Sequence, residues 1–278
     1  EASTVTLYFD SSCVTAKSAA SANTAFASPG ITVNADVASN TTTTIYAKAV
    51  DTAGNASTCT SLVTYTHDDT PPTAPTVSGT TPTNSTTPTW TWTAGTGGNG
   101  NFRYKLDDSN LSSGATTTTS TSFTPSSPLS AGDHTLYVQE RDATGNWSAS
   151  GSFLIAIDTT APTLTFNSVS GGNLGSTLRP VILGTASEAS DVTLYFDSSC
   201  VTAKSAASAN TAFASPGITV NADVASNTTT TIYAKAVDTA GNASTCTSLV
   251  TYTHDDTPPT APTVSGTTPT NSTTPTWT

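Results

Sequence analysis

The chain has 278 residues, 35% of them hydrophobic and only 10% charged, with long runs of Thr, Ser, Ala and Val and no Met. A formal net charge of -11 opposes binding to nucleic acid or to an anionic lipid surface and is compatible with cation binding. No apolar run approaches the length of a membrane-crossing helix, so no membrane insertion is expected in this segment.

Residues 1–91 return as residues 188–278 with one change, Thr4 becoming Asp191, so the chain repeats with a period of 187 residues. Such a period exceeds that of stacked solenoid repeats and fits one or two independently folding domains per unit. Asp-Thr-Pro-Pro-Thr-Ala-Pro-Thr at 69–76 and 256–263, and Asp-Thr-Thr-Ala-Pro-Thr at 158–163, punctuate the chain. Proline fixes its own φ and drives the preceding residue to extended conformations, so these stretches read as short stiff connectors. Cutting there predicts a partial type A domain at 1–68, a type B domain at 69–157, a complete type A domain at 158–255 and the opening strands of a second B domain at 256–278. The partial ends give the expectation of a window on a longer array. Without an initiator Met, a leader is not legible.

In module B, strands are predicted at 74–79, 87–93, 102–107, 117–123, 134–140 and 148–157. In module A they are predicted at 163–167, 180–184, 191–196, 212–220, 228–237 and 245–253. Thr and Val favour strands, and Gly, Pro, Asn and Asp supply the turns between them. Short strands at this spacing, each with one apolar face, predict an all-β fold: a tandem array of β-sandwich domains of two alternating types. Trp90 and Trp92 lie two apart and share a face. They read as core aromatics or, with Trp147, as a stacking platform for a sugar or peptide. The run 95–101 (Gly-Thr-Gly-Gly-Asn-Gly-Asn) joins two strands and reads as a flexible loop rather than a nucleotide site.

Cys13 and Cys59 lie 46 residues apart, as do Cys200 and Cys246. One pair in each A copy and none in B suggests one disulfide per A copy. Closing a loop of that length adds about 3 to 4 kcal/mol in the chain-entropy account. The third strand ends near Cys200 and the last begins near Cys246, at opposite ends of a simple sandwich, so the chain must double back. Free thiols and disulfides between chains are the competing readings.

Asp-Thr-Ala-Gly-Asn at 51–55 and 238–242 and Asp-Ala-Thr-Gly-Asn at 142–146 each fall between the last two strands, shortly before a connector. With the strand plan, they resemble the bacterial immunoglobulin-like repeats of large surface adhesins, module B being more similar to fibronectin type III. The resemblance implies immunoglobulin-like sandwiches and export. It names no ligand.

In such a sandwich the incoming connector meets the loop between strands two and three and the loop between the last two strands. That gathers Asp158, Glu188, Asp238 and Asn242 in module A, and Asp68, Asp69, Asp142 and Asn146 in module B. Calcium takes six to eight oxygen ligands, and either junction offers several. The plainer reading is turn chemistry, with Gly at positive φ and Asp or Asn capping.

Catalytic constellations are absent from the sequence. His67 and His254 are copies of one position, His134 opens a strand, and neither a nucleophile elbow nor His/Cys metal spacing occurs. An enzyme is not expected and no cofactor is required, calcium being the one candidate. Asn-x-Ser/Thr acceptors at Asn40, Asn55, Asn84, Asn110, Asn146, Asn227, Asn242 and Asn271 matter only where a glycosylation machinery exists. The expected role is a secreted or cell-surface stalk or fibre, partnered by neighbouring repeats of the same chain. The alternatives are a multi-chain filament of laterally associated copies and a glycan- or protein-binding module.

Overall fold

The structure is a computed structural model that describes residues 2–266, 268–269 and 271–277. Glu1, at the start of the 1–68 module, and Thr267, Thr270 and Thr278, in the 256–278 module, lie outside the described residues. Two compact units emerge: Glu1–Gly79 with Thr89–Pro125 and His134–Leu154, and Thr80–Pro88 with Ser126–Asp133 and Ile155–Thr278. Among the described residues the chain is all-β apart from two five-residue helical turns, Asn23–Ala27 and Asn210–Ala214.

In the first unit, one four-stranded sheet runs in the order Ser21–Ala22, Ser3–Tyr8, Thr42–Asp51, Thr60–Thr66. A three-stranded sheet orders Thr76–Ser78, Trp90–Thr93 and Ser122–Phe123. A further sheet orders Gly151–Ile157, Gly132–Arg141, Asn101–Leu106 and Thr116–Thr118, and its first two strands have residues in both units. Inward positions alternate as a half-buried strand requires: Trp90 and Trp92 on one strand, Leu136 and Val138 on another, all enclosed. Trp92 meets Phe102 edge-on at 5.9 Å, and Trp90 lies 6.1 Å from Phe123. Trp90 and Trp92 therefore cannot serve as a ligand platform. Their rings are the core, and the Trp90 indole N–H is spent on Phe153 O at 3.0 Å.

The second unit contains a complete sandwich. One sheet orders Leu164–Val169, Val181–Ala186 and Ile218–Thr219; the other orders Leu174–Gly175, Thr247–His254, Thr229–Asp238, Ser190–Tyr195 and Ser208–Ala209. Between them Val169, Ile182, Val192, Leu194, Phe213, Ile232, Val250 and Tyr252 form one core.

Three strand predictions fail. Residues 212–220 are not one strand: the helical turn Asn210–Ala214 buries Phe213 completely, Gly217 takes φ +99°, and only Ile218–Thr219 pairs. An aromatic reaching the core from a helical turn looks like strand alternation in sequence. Residues 263–265, identical to Thr76–Ser78, form no strand. At the first position that strand pairs with Trp90–Thr93. Likewise 117–123 is broken into Thr116–Thr118 and Ser122–Phe123, which join different sheets.

Candidate functional site

The Asp-x-x-Gly-Asn loops close on themselves. In each, the Asp N–H donates to the Asn carbonyl at 3.0 Å, the Asn N–H returns to Asp Oδ1, and the Asn side-chain NH2 donates to Asp Oδ2. The glycines take φ of +91°, +111° and +96°, which a side chain tolerates poorly. Turn chemistry thus accounts for the motif. It also does more: Asn146 Nδ2 reaches Asp68 O at 3.0 Å, and Asn242 Nδ2 reaches Asp158 O at 2.8 Å. A single amide group ties the incoming connector to the last hairpin.

Electrostatics follow from these donors. Burial pushes the Asp142 carboxyl up, but the side-chain and backbone donors of Asn146, with Thr144 and Gly145, outweigh it and hold the pKa at about 2. At Asp238 burial is likewise outweighed by Asn242, Gly241 and Ala240, and its pKa falls below the usual carboxylate range. Glu188 moves the other way. Its own burial, then the charges of Asp158 and Asp238, raise it.

Asp158, Glu188 and Asp238 offer carboxylate oxygens all within 4.8 Å of one another. Asn242 joins them as a donor: its NH2 faces two acceptors, Asp158 O and Asp238 Oδ2, so its nitrogen rather than its carbonyl points at the group. The matching set in module B is not assembled. Asp68 Oδ1 caps Thr70 N, Asp69 Oδ2 accepts from Ser39, and Asp142 Oδ1 is filled by Thr144, Gly145 and Asn146. Among the described residues the one group of three carboxylates is that of Asp158.

Module B holds a buried carboxylate of its own, one that sequence reasoning passed over. Glu140 is fully buried, accepting from Gly95 N at 2.7 Å and Gly100 N at 3.0 Å. Gly98 lies so close that a Cβ there would sit 2.0 Å from Glu140 Cδ, and a Cβ at Gly95 would meet Thr73 O at 1.9 Å. The 95–101 run is therefore a cradle shaped around a carboxylate, not a flexible loop. Its signal was the alternation itself, since Leu136, Val138 and Glu140 are successive inward positions. Glu140→Ala should destabilise the first unit by about 2–4 kcal/mol in urea unfolding followed by tryptophan fluorescence, and an unchanged midpoint would remove the cradle's role.

Both cysteine pairs are bonded, Cys13–Cys59 and Cys200–Cys246, each with Cα atoms 5.7 Å apart. The chain does double back. Asp197 accepts from the N–H groups of Ser199, Val201 and Thr202, and Val201's donation leads in holding its carboxyl below the ordinary range. Cys200 sits in the tight turn at φ +50°, and Lys204 N then bonds back to Leu194 O at 2.7 Å.

Trp147 is half-buried, with the Arg103 guanidinium 4.2 Å over its ring and Arg141 at 5.7 Å. A cleft of about 350 Å³ borders it, lined also by Asn101, Thr118 and Arg141. His134 pairs with Asp107 at 2.7 Å and Lys105 with Asp108 at 2.5 Å, so these polar groups serve one strand end.

Residues 74–159 match the family model of a bacterial Ig-like domain. Among solved structures, the chain is similar to the FN1–FN3 domains of chicken CNTN1 (14% identity, 92% of this chain and 89% of that one, TM-score 0.39). It is also similar to fibronectin(III)-like modules of Clostridium thermocellum CbhA (14% identity, 66% and 91%, TM-score 0.36). No curated protein matches the chain.

Proposed function

We propose that the chain is the repeat region of a secreted or cell-surface stalk, non-catalytic, whose modules act as spacers. The observation that carries this reading is the return of residues 1–91 as 188–278 with one substitution. Selection for a site diversifies copies around it, whereas selection for length multiplies a unit. The match of residues 74–159 to a bacterial Ig-like domain and the two disulfides fit an oxidising, extracellular setting. No helix of the described residues is long and apolar enough to cross a membrane. The spacer divides at its connectors into the partial A, B, complete A and partial B modules. A sandwich of this size spans about 35–45 Å. Chains carrying one, two and three 187-residue repeats should therefore lengthen by an equal step each time in negative-stain images. A length that does not grow with copy number would sink the spacer reading.

Calcium at Asp158, Glu188 and Asp238 belongs to the same proposal: a hard cation replaces the repulsion of three carboxylates with shared coordination. The sign follows from the raised pKa of Glu188. Its contribution to stability is present below the unfolded pKa and lost as pH rises through the folded one, so at neutral pH without cation its charge opposes folding. Glu188→Gln should accordingly raise the melting temperature at pH 7 in EDTA and shrink the rise that calcium produces in the parent chain. Should calcium leave the parent's midpoint and hydrogen exchange unchanged, the cation role is wrong.

A binding role is the second reading, favoured by the cleft beside Trp147. Retention on a glycan array, lost in Trp147→Ala, would support it.

A further inference from the structure

Arg103, Lys105 and Arg141 are the cations of module B, and all of them stand on one face of one sheet. Arg103 and Lys105 are two apart on their strand, and Arg141 pairs with Asn101, two before Arg103. The opposite face carries Leu136, Val138 and Glu140 into the core. Lys105 is matched by Asp108 at 2.5 Å. Among the described residues neither Arg103 nor Arg141 has a carboxylate partner, in a chain whose net charge is -11. The acidic neighbours of Arg141 in sequence are already spent: Glu140 on Gly95 N and Gly100 N, and Asp142 on the donors of Thr144, Gly145 and Asn146. Two guanidiniums without counter-ions therefore meet at Trp147, 4.2 and 5.7 Å from its ring.

The arrangement is held in place. Gln139 Nε2 donates to Ser148 O at 2.7 Å, and Gln139 Oε1 accepts from Arg103 Nε at 2.7 Å, which fixes the guanidinium over the indole. Desolvation lowers the Arg103 pKa from its ordinary value, and a cation that has lost water without gaining a partner favours an arriving anion. Arg141 is exposed and lines the cleft of about 350 Å³ together with Trp147, Asn101, Thr117, Thr118 and Thr119. That volume lies at the small end of ligand sites. Asn101 spends its NH2 on Asn99 Oδ1 at 2.9 Å and keeps its carbonyl oxygen, while the hydroxyls of Thr117 and Thr119 make no hydrogen bond among the described residues. A ring of hydroxyls would pair with these groups. An acidic peptide side chain, a bare carboxylate on a flexible stem, would leave them and the indole unmet.

We propose that this cleft binds an acidic sugar: the Arg141 guanidinium takes its carboxylate, Trp147 packs against the sugar ring, and Asn101 with the threonines meets its hydroxyls. Planar guanidinium and planar carboxylate form the paired, charge-assisted contact that a neutral sugar cannot. The net negative charge of the chain does not oppose this at contact, since physiological salt screens charges beyond about 8 Å. This assignment rests on the binding role of the Trp147 cleft and gives its ligand a charge.

The test applies the full chain to an array that carries galacturonate, glucuronate and sialic-acid glycans, each as the free acid and as its methyl ester, beside neutral glycans. Retention is expected on free acids, weakening as salt is added, and at least about tenfold lower on the esters, which keep the sugar and lose the charge. Arg141→Gln, at an exposed position, should keep the parent's melting midpoint and lose retention to the same degree. Arg179→Gln, which removes the cation paired with Asp223, should change nothing. Retention of neutral glycans or esters equal to that of the acids, and lost in Trp147→Ala, would overturn the acidic ligand and leave the binding role standing. Retention of no glycan at all would overturn both. Equal loss in Arg141→Gln and Arg179→Gln, or release of the bound chain by oligoglutamate as readily as by free oligogalacturonate, would also overturn the proposal.

Discussion

Replacing Phe213 with alanine is expected to cost about 3–5 kcal/mol of unfolding free energy, and the same replacement at Phe26 less than about 1 kcal/mol. The two residues stand in identical local sequence, on identical helical turns. Phe213 is fully enclosed against Gly184, while Phe26 is 41% exposed. Propensity and unfolded-state effects therefore cancel in the comparison, and what remains is burial and the cavity left behind. Urea unfolding of each variant, with hydrogen exchange at 190–253 and at 3–66, measures the difference. Equal costs would mean that the second sheet pair contributes nothing to holding the turn.

The second large effect concerns the disulfides. Replacing Cys200 and Cys246 together with serine should lower the stability of residues 158–255 by about 3–4 kcal/mol, because a 46-residue crosslink no longer restricts the unfolded chain. The loss should be larger than for alanine at exposed Val201, two-thirds or more of whose surface is free. It should also be reproduced by reduction of the parent protein. A midpoint unchanged on reduction would show that the turn built by Asp197 holds the doubled-back segment unaided.

Much of the architecture was legible before any coordinates, and the reasons are local. The alternation in 228–237 marks Thr229–Asp238, and the apolar run at 180–184 marks Val181–Ala186. The pairing of cysteines was legible from their distribution, although the turn that permits it depends on Cys200 adopting φ +50°. Three things escaped. Phe213 was read as a strand residue, because a one-turn helix has too few residues to show a period of its own. Glu140 was passed over because a buried carboxylate makes sense only once its two backbone donors, 40 and 45 residues away, are in place. The third is the contrast of Ile31–Thr32 with Ile218–Thr219, where the same residues are strand in one copy and not in the other. Pairing there is decided by Val181 and Ile182, which no window around the isoleucine contains. At the junction, the sequence grouped Asp158, Glu188, Asp238 and Asn242, and likewise Asp68, Asp69, Asp142 and Asn146; among the described residues only the first set brings three carboxylates within 4.8 Å of one another.

The crosslink between Cys200 and Cys246 also sets how far a stretched repeat can yield. When the ends are pulled, the residues between the two cysteines stay off the load path, because the covalent bridge carries the tension across a Cα separation of 5.7 Å. Forty-six residues of chain at about 3.5 Å each, about 160 Å, are thereby withheld from extension in every oxidised copy. Under oxidising conditions the repeat yields little and stops abruptly; reduction would lengthen it by that reserve, making extensibility a readout of the surrounding redox state.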